Sequence, residues 1–444
     1  MDPTHAVMTN VYLPFVGTDP AERALRVRQV FAVEVDVQTR KFVKLTAGRF
    51  SFSPGTSASN ASDRSVVLHP LGGGRPGTGS LPLQVFRKSG EQWTADAGSL
   101  VPQRKISVDV DQDLNRWSTL VASDATSGQR AVIFDPNPEF AQLCFGRVEE
   151  ITWQCPDGKT HTGGLVLPPH YRTGTKYPLV IQTHGWQPGK FAIDSYDATA
   201  GYAAQALAAL DMVVVQLPDL EREVYTTTEK APTSMAMYEG VIDFLDARGL
   251  VDRNRVGIQA WSRTGVGVRH ALAFSRYPFA AATLVDLMSR SISQQISWRN
   301  ETIVGMADTA LGLNGGKLPY GAAVQEWVDH SVAFHLDRVK TAVRIRSFGR
   351  TSVHSQWEWF GGLRQLGVPV EYYWLPAAAH SPVRPRERLV SQQGTVDWFR
   401  FWLKGEEDTD PGKRAQYERW RRMKEQWQRT GQKESQPART DVGS

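Results

Sequence analysis

Between residues 177 and 375 the chain alternates short apolar runs with longer amphipathic stretches. The runs are YPLVIQTHG (177–185), MVVVQLPD (212–219), RVGIQA (255–260), AAATLVD (280–286), VRIRSF (343–348, broken by two arginines) and PVEYYWL (369–375). Between them lie YDATAGYAAQALAALD, SMAMYEGVIDFLDARGL and SQWEWFGGLRQLG, whose apolar residues recur at helical spacing. A strand that is apolar at every position is buried on both faces. Such strands alternating with helices specify a mostly parallel sheet with helices on both sides. The fold class is therefore α/β.

Within that alternation, RVGIQAWSRTGVGVRHALA (255–273) reads as a strand over Val256 to Ala260, a turn at Trp261-Ser262-Arg263, and a helix. A serine at the apex of a strand-to-helix turn has the geometry of a nucleophile elbow, which presents the hydroxyl above the sheet at a helix N-terminus. The usual G-x-S-x-G pattern keeps both flanks small. Here Ala260 stands two places before Ser262 and Thr264 two places after, with Gly265 one further on. An ordinary strand-to-helix loop is the plainer alternative.

A serine hydroxyl becomes a nucleophile only with a base to take its proton and donors for the oxyanion. His380 stands five residues beyond Leu375, the end of the last strand, in a loop where such a base is expected. Of the ten histidines it alone combines that loop with the right chain order. One oxyanion donor is expected to be the amide of Arg263, next to the nucleophile. The other is expected from the loop His184-Gly185-Trp186, through Gly185 or Trp186. An acid should orient His380 from the loop after VRIRSF, but GRTSVHS (349–355) holds neither Asp nor Glu. Two carboxylates are within reach: Glu358, early in the following helix and ranked first, and Asp286, at the end of AAATLVD. The remaining alternative is a site without an acid. No cofactor or metal motif is present.

Residues 141–405 resemble the catalytic domain of the prolyl oligopeptidase family of serine peptidases. The likeness rests on YPLVIQTHG, AWSRTG, the late His380 and the closing VDWFRFWLKG. It is especially close to a bacterial subgroup with a Ser-Arg-Thr elbow and to the related lasso-peptide isopeptidases. The resemblance implies an α/β-hydrolase fold, Ser262 as nucleophile, His380 as base, Arg263 as amide donor, and peptide cleavage through an acyl-enzyme. It also implies an N-terminal β-propeller over the site. Residues 1–140 are β-rich, with strands at SVVLHPL, LQVFRKS, KISVDVDQ and RAVIFDP, and a hairpin over 27–46. At roughly 40–50 residues per blade they supply only the last blades of a propeller.

Past Gly405 the chain becomes polar and basic. Asp410-Pro411 is a helix start, and Trp420, Met423 and Trp427 recur on one helical face, which is expected to dock on the parent domain. The last dozen residues have the composition of a disordered tail. The net charge of +5 is too mild to mark a nucleic-acid binder. No run has the length of a membrane span and the N-terminus lacks the pattern of a signal peptide, which points to the cytoplasm, or to export if the start is truncated. Cys144 and Cys155, on successive strand segments, are expected to be buried free thiols, with a disulfide in an oxidising compartment as the alternative. The leading function is peptidase action on short peptides. A carboxylesterase with the same Ser–His machinery and a degenerate, non-catalytic binding protein are the competitors.

Overall fold

The apolar runs become strands of one eight-stranded sheet in the computed structural model, which describes residues 5–11, 13, 19–52, 65–70, 84–90, 92–96, 106–184, 186–191, 202–220, 224–300, 304–350, 352–382 and 384–434. Its strands are β1 (Val148–Gln154), β2 (Thr160–Val166), β3 (Tyr177–Gln182), β4 (Val213–Gln216), β5 (Val251–Trp261), β6 (Phe279–Val285), β7 (Ala342–Phe348) and β8 (Val370–Leu375). They lie in the order β1-β2-β4-β3-β5-β6-β7-β8. The β1–β2 and β2–β4 pairs are antiparallel; every other neighbouring pair is parallel. That is the sheet of an α/β-hydrolase.

The helices that cover it are α1 (Ala204–Ala208), α2 (Lys230–Ala247), α3 (Gly265–Phe274), α4 (Ile292–Asn300), α5 (Val304–Gly312), α6 (Val324–His330), α7 (Val353–Gln365), α8 (Pro385–Phe399) and α9 (Arg414–Glu434). Successive side chains of a strand point to opposite faces. Leu179 and Ile181 of β3 therefore enter one core with α2, α3 and α7, while Val180 enters the other with α1, α8 and α9. Glycines set the closest approaches. A Cβ on Gly257 of β5 would lie 2.6 Å from the Phe399 ring, and one on Gly267 of α3 would lie 2.3 Å from Ser234 Cβ.

The chain divides into two compact units, one of residues 1–111 and 118–138, the other of residues 112–117 and 139–444. Among the described residues the first unit carries one helix, Pro20–Arg28, and strands that pair antiparallel: a three-stranded sheet from His5–Val11, Phe31–Asp36 and Phe42–Ala47, and a four-stranded sheet from Phe50–Phe52, Ser65–Pro70, Gln84–Ser89 and Gln92–Asp96. A third sheet is formed by Ile106–Asp113, Arg116–Asp124 and Arg130–Phe134. The Gly- and Ser-rich loops at 53–64 and 71–83 lie outside the described residues.

The basic segment beyond Gly405 is integral to the second unit. Tyr417 and Trp420 of α9 are buried, and the Trp420 ring meets Trp398 edge-on at 5.1 Å. Met423 packs against the same core, and Trp427 reaches Trp402. Residues 435–444, expected to be a disordered tail, lie outside the described residues. Cys155 is buried as expected, and burial pushes its thiol up to about 11. Cys144 is exposed, because it lies in the loop ahead of β1 and not on a strand. No helix of the described residues is long and apolar enough to cross a membrane.

Candidate active site

Ser262 directly follows β5 with a φ of +56°, in the left-handed region that side chains larger than glycine rarely occupy. The flanking residues hold it there. Thr264, where the usual pattern has glycine, accepts the Trp261 N–H at 3.1 Å and donates to the Trp261 carbonyl at 2.8 Å, closing the turn with its own hydroxyl. The Thr183 hydroxyl, at the end of β3, donates to Thr264 Oγ1 at 2.8 Å. The close packing falls to Gly265, where a Cβ would lie 2.7 Å from Leu287. The Ser262 carbonyl accepts from the Met288 amide at 2.9 Å, tying the turn to the loop after β6.

His380, in the loop after β8, places Nε2 2.9 Å from Ser262 Oγ. Its Nδ1 is hydrogen-bonded to Asp286 Oδ2. The Trp261 ring stacks on the imidazole at 4.9 Å with planes 23° apart, and Trp261 Nε1 donates to the His380 carbonyl at 3.2 Å. His380 is about half exposed, whereas Asp286 is buried. Asp286 Oδ1 accepts the Phe348 amide at 2.9 Å and the Ser352 hydroxyl. Both carboxylate oxygens are thus engaged, and the φ of +46° at Asp286 is held from two sides.

Of the two expected carboxylates, Asp286, ranked second, is the one hydrogen-bonded to His380. Glu358, on α7, accepts from Ser293 Oγ at 3.0 Å, on the helical segment after β6. Asp286 reaches His380 because β6 and β7 are parallel neighbours, with Val285 paired to Arg346. One residue past β6 therefore stands beside the end of β7, where the acid of the usual pattern would come from.

The Arg263 amide sits in the first helical turn, next to Ser262, where N–H groups have no intrahelical partner. The Trp186 amide donates to the Leu217 carbonyl at 3.3 Å, and its indole fills the space above Gly164, so this amide is spent on the sheet. Gly185, the other expected donor, lies outside the described residues.

A second network flanks the serine, and no sequence pattern signals it. The Arg263 guanidinium is paired with Asp219 and lies over the Tyr225 ring at 5.0 Å. Asp219 Oδ1 is also 3.2 Å from His184 Nδ1, and the His184 ring lies 5.2 Å from Trp261. Lys230, at the start of α2, is buried near this cluster. Burial, then the charges of Arg263 and Arg290, pull its ammonium down to about 7. Among the described residues no group of three or more His, Cys, Asp or Glu side chains could hold a metal.

The chain is 30% identical over 324 residues to a lasso peptide isopeptidase of Asticcacaulis excentricus, a match spanning 69% of this chain and 44% of the relative. The chain thus spans less than half the length of that relative. A solved isopeptidase with an astexin bound superposes with a TM-score of 0.62 at 24% identity, over 90% of this chain and 62% of the other. The chain shares the α/β-hydrolase fold of this isopeptidase. The acylaminoacyl peptidase of Pyrococcus horikoshii shares the fold of this group, with a TM-score of 0.54 at 14% identity over 91% of this chain and 72% of its own. A puromycin-hydrolyzing peptidase of Mycobacterium tuberculosis does so at 0.53 and 14%, over 84% of this chain and 58% of its own. No family model matches the chain.

Proposed function

We propose that the chain is a serine peptidase of prolyl oligopeptidase type that cleaves short peptides through an acyl-enzyme. The observation that carries the reading is the continuous hydrogen-bonded line from Ser262 Oγ through the His380 ring to Asp286. His380 Nε2 takes the serine proton as Oγ attacks the amide carbonyl. Asp286 holds the other ring nitrogen and stabilises the imidazolium that forms. The Arg263 amide donates to the oxyanion, and a helix N-terminus beneath it favours that negative charge. His380 then passes its proton to the leaving amine, and water releases the acyl group by the same route. The name of the isopeptidase relative adds isopeptide amides to ordinary peptide bonds as substrates to test.

The test is active-site labelling with a fluorophosphonate. The folded protein should be labelled once, and Ser262→Ala should abolish the label while leaving the thermal transition unchanged. A folded protein that resists the probe would overturn the proposal. Peptide amides and isopeptides compared with short p-nitrophenyl esters then separate a peptidase from an esterase by kcat/KM.

A further inference from the structure

Behind the nucleophile elbow, α3, the segment after Asp286, residues 331–333 and Trp359 of α7 line a partly open cavity of about 10 Å³. Two arginines reach it: Arg269 of α3, and Arg290, four residues beyond Asp286; they are 2% and 6% exposed. Arg269 lies over the Trp359 ring at 4.5 Å and donates from Nη2 to Gln356 Oε1 at 2.6 Å. Its Nε and Nη1 are buried without an acceptor among the described residues. Arg290 donates to the carbonyls of His330 at 3.1 Å and Thr228 at 2.8 Å, and its Nε is likewise without an acceptor. Ser289 and Ser291 complete the polar wall.

Guanidinium groups do not shed their protons in proteins, so both remain cations. Glu358 and Glu229 act on them only at range: neither arginine has a carboxylate in contact among the described residues. Burial draws Arg269 down to about 9 and Arg290 to about 10, which records the same lack of compensation. A buried charge normally has a counter-ion, because leaving water is costly without one. The space holds one guest of about the size of a water molecule. A single neutral water would satisfy a donor or two but leave both charges uncompensated.

We propose that this cavity is a binding site for a small monatomic anion, chloride in ordinary buffers, held by Arg269 and Arg290. The anion bridges α3, which starts at the elbow, to the segment that follows Asp286. Larger anions such as gluconate do not enter. The site is distinct from the proposed catalytic line, so it stands or falls separately.

Crystals grown or soaked in bromide should give an anomalous peak in the cavity, between the two guanidinium groups. In solution, the thermal midpoint should be about 2–5 °C higher in chloride or bromide than in gluconate at equal ionic strength, since a ligand that binds only the folded state raises its midpoint. The same shift should appear in Ser262→Ala, which keeps this test apart from peptidase activity, and should vanish in Arg269→Gln. If that variant fails to fold, the bromide peak in the unsubstituted protein decides. A cavity with density but no anomalous signal, hence water, or equal midpoints in the two salts, overturns the proposal.

Discussion

Ser262 and Asp286 share a conformational feature: both hold left-handed backbone at the C-terminal edge of the sheet, at φ values of +56° and +46°. Strain of this kind persists only where neighbours over-determine it. Thr264 and Met288 do so for the serine; the Phe348 amide and Ser352 do so for the aspartate. Asp286→Asn should keep the fold but lower kcat by about 10⁴, since an amide in this position favours the wrong histidine tautomer. Glu358→Gln should stay within about threefold of the parent. A larger loss for Glu358→Gln than for Asp286→Asn would reverse the assignment. Ser262 and His380 were legible because strand order and chain order locate them. The acid was ambiguous because the ends of two adjacent parallel strands reach one place, a fact that only the register reveals. Lys230 adds a prediction in pH. Its ammonium falls from the ordinary 10.5 to about 7 on burial. Between those values the unfolded chain holds one proton more, so stability rises with pH across that window. The burial penalty is full below about pH 7. Lys230→Met should therefore stabilise by about 1 kcal/mol or more at pH 6, with the gain closing by pH 10 in denaturant titrations.

Among the elements, those with one apolar period were readable and those without were not. The strands β3 to β8 and helices α2, α3 and α7 follow their sequence patterns closely. The three short helices α4, α5 and α6, between β6 and β7, had no sequence signal. They are brief, and in α4 the buried polar residues Gln294 and Gln295 interrupt any apolar stripe. The basic helix α9 illustrates the opposite case, where a sparse stripe on a highly charged sequence is enough. Trp420 is fully buried against Trp398 and Phe401, and Lys413 anchors the approach through Asp397 at 2.9 Å and Asp408 at 2.7 Å. Trp420→Ala should cost about 3–5 kcal/mol, the range for deleting a buried aromatic ring. The measurement is the denaturant midpoint at unchanged slope. A loss below about 1 kcal/mol would mean that α9 does not dock as described.

At the scale of the whole chain, the division into two units implies that the proposed catalytic machinery folds without the strands of the first. Every residue of the Ser262–His380–Asp286 line, and both cores of the eight-stranded sheet, belong to the second unit. A domain with its own core can fold alone when few contacts cross its boundary. One element of that unit comes from earlier in the chain. The 112–117 turn carries Asn115, whose side chain accepts the Val148 amide at 2.8 Å and donates to the Val148 carbonyl at 3.0 Å, fixing the start of β1. A chain of residues 139–444 should therefore fold and retain fluorophosphonate labelling at Ser262. It should melt a few degrees lower, since two partly buried hydrogen bonds are worth about 1–3 kcal/mol together. Asn115→Ala in the full chain should reproduce part of that deficit, because it removes the same two bonds but keeps Leu114 against the core and Trp117 against Phe140. Calorimetry on the three proteins checks both statements. If residues 139–444 give no cooperative transition, or fold without taking the label, the second unit is not self-sufficient and its chemistry depends on the strands that precede it.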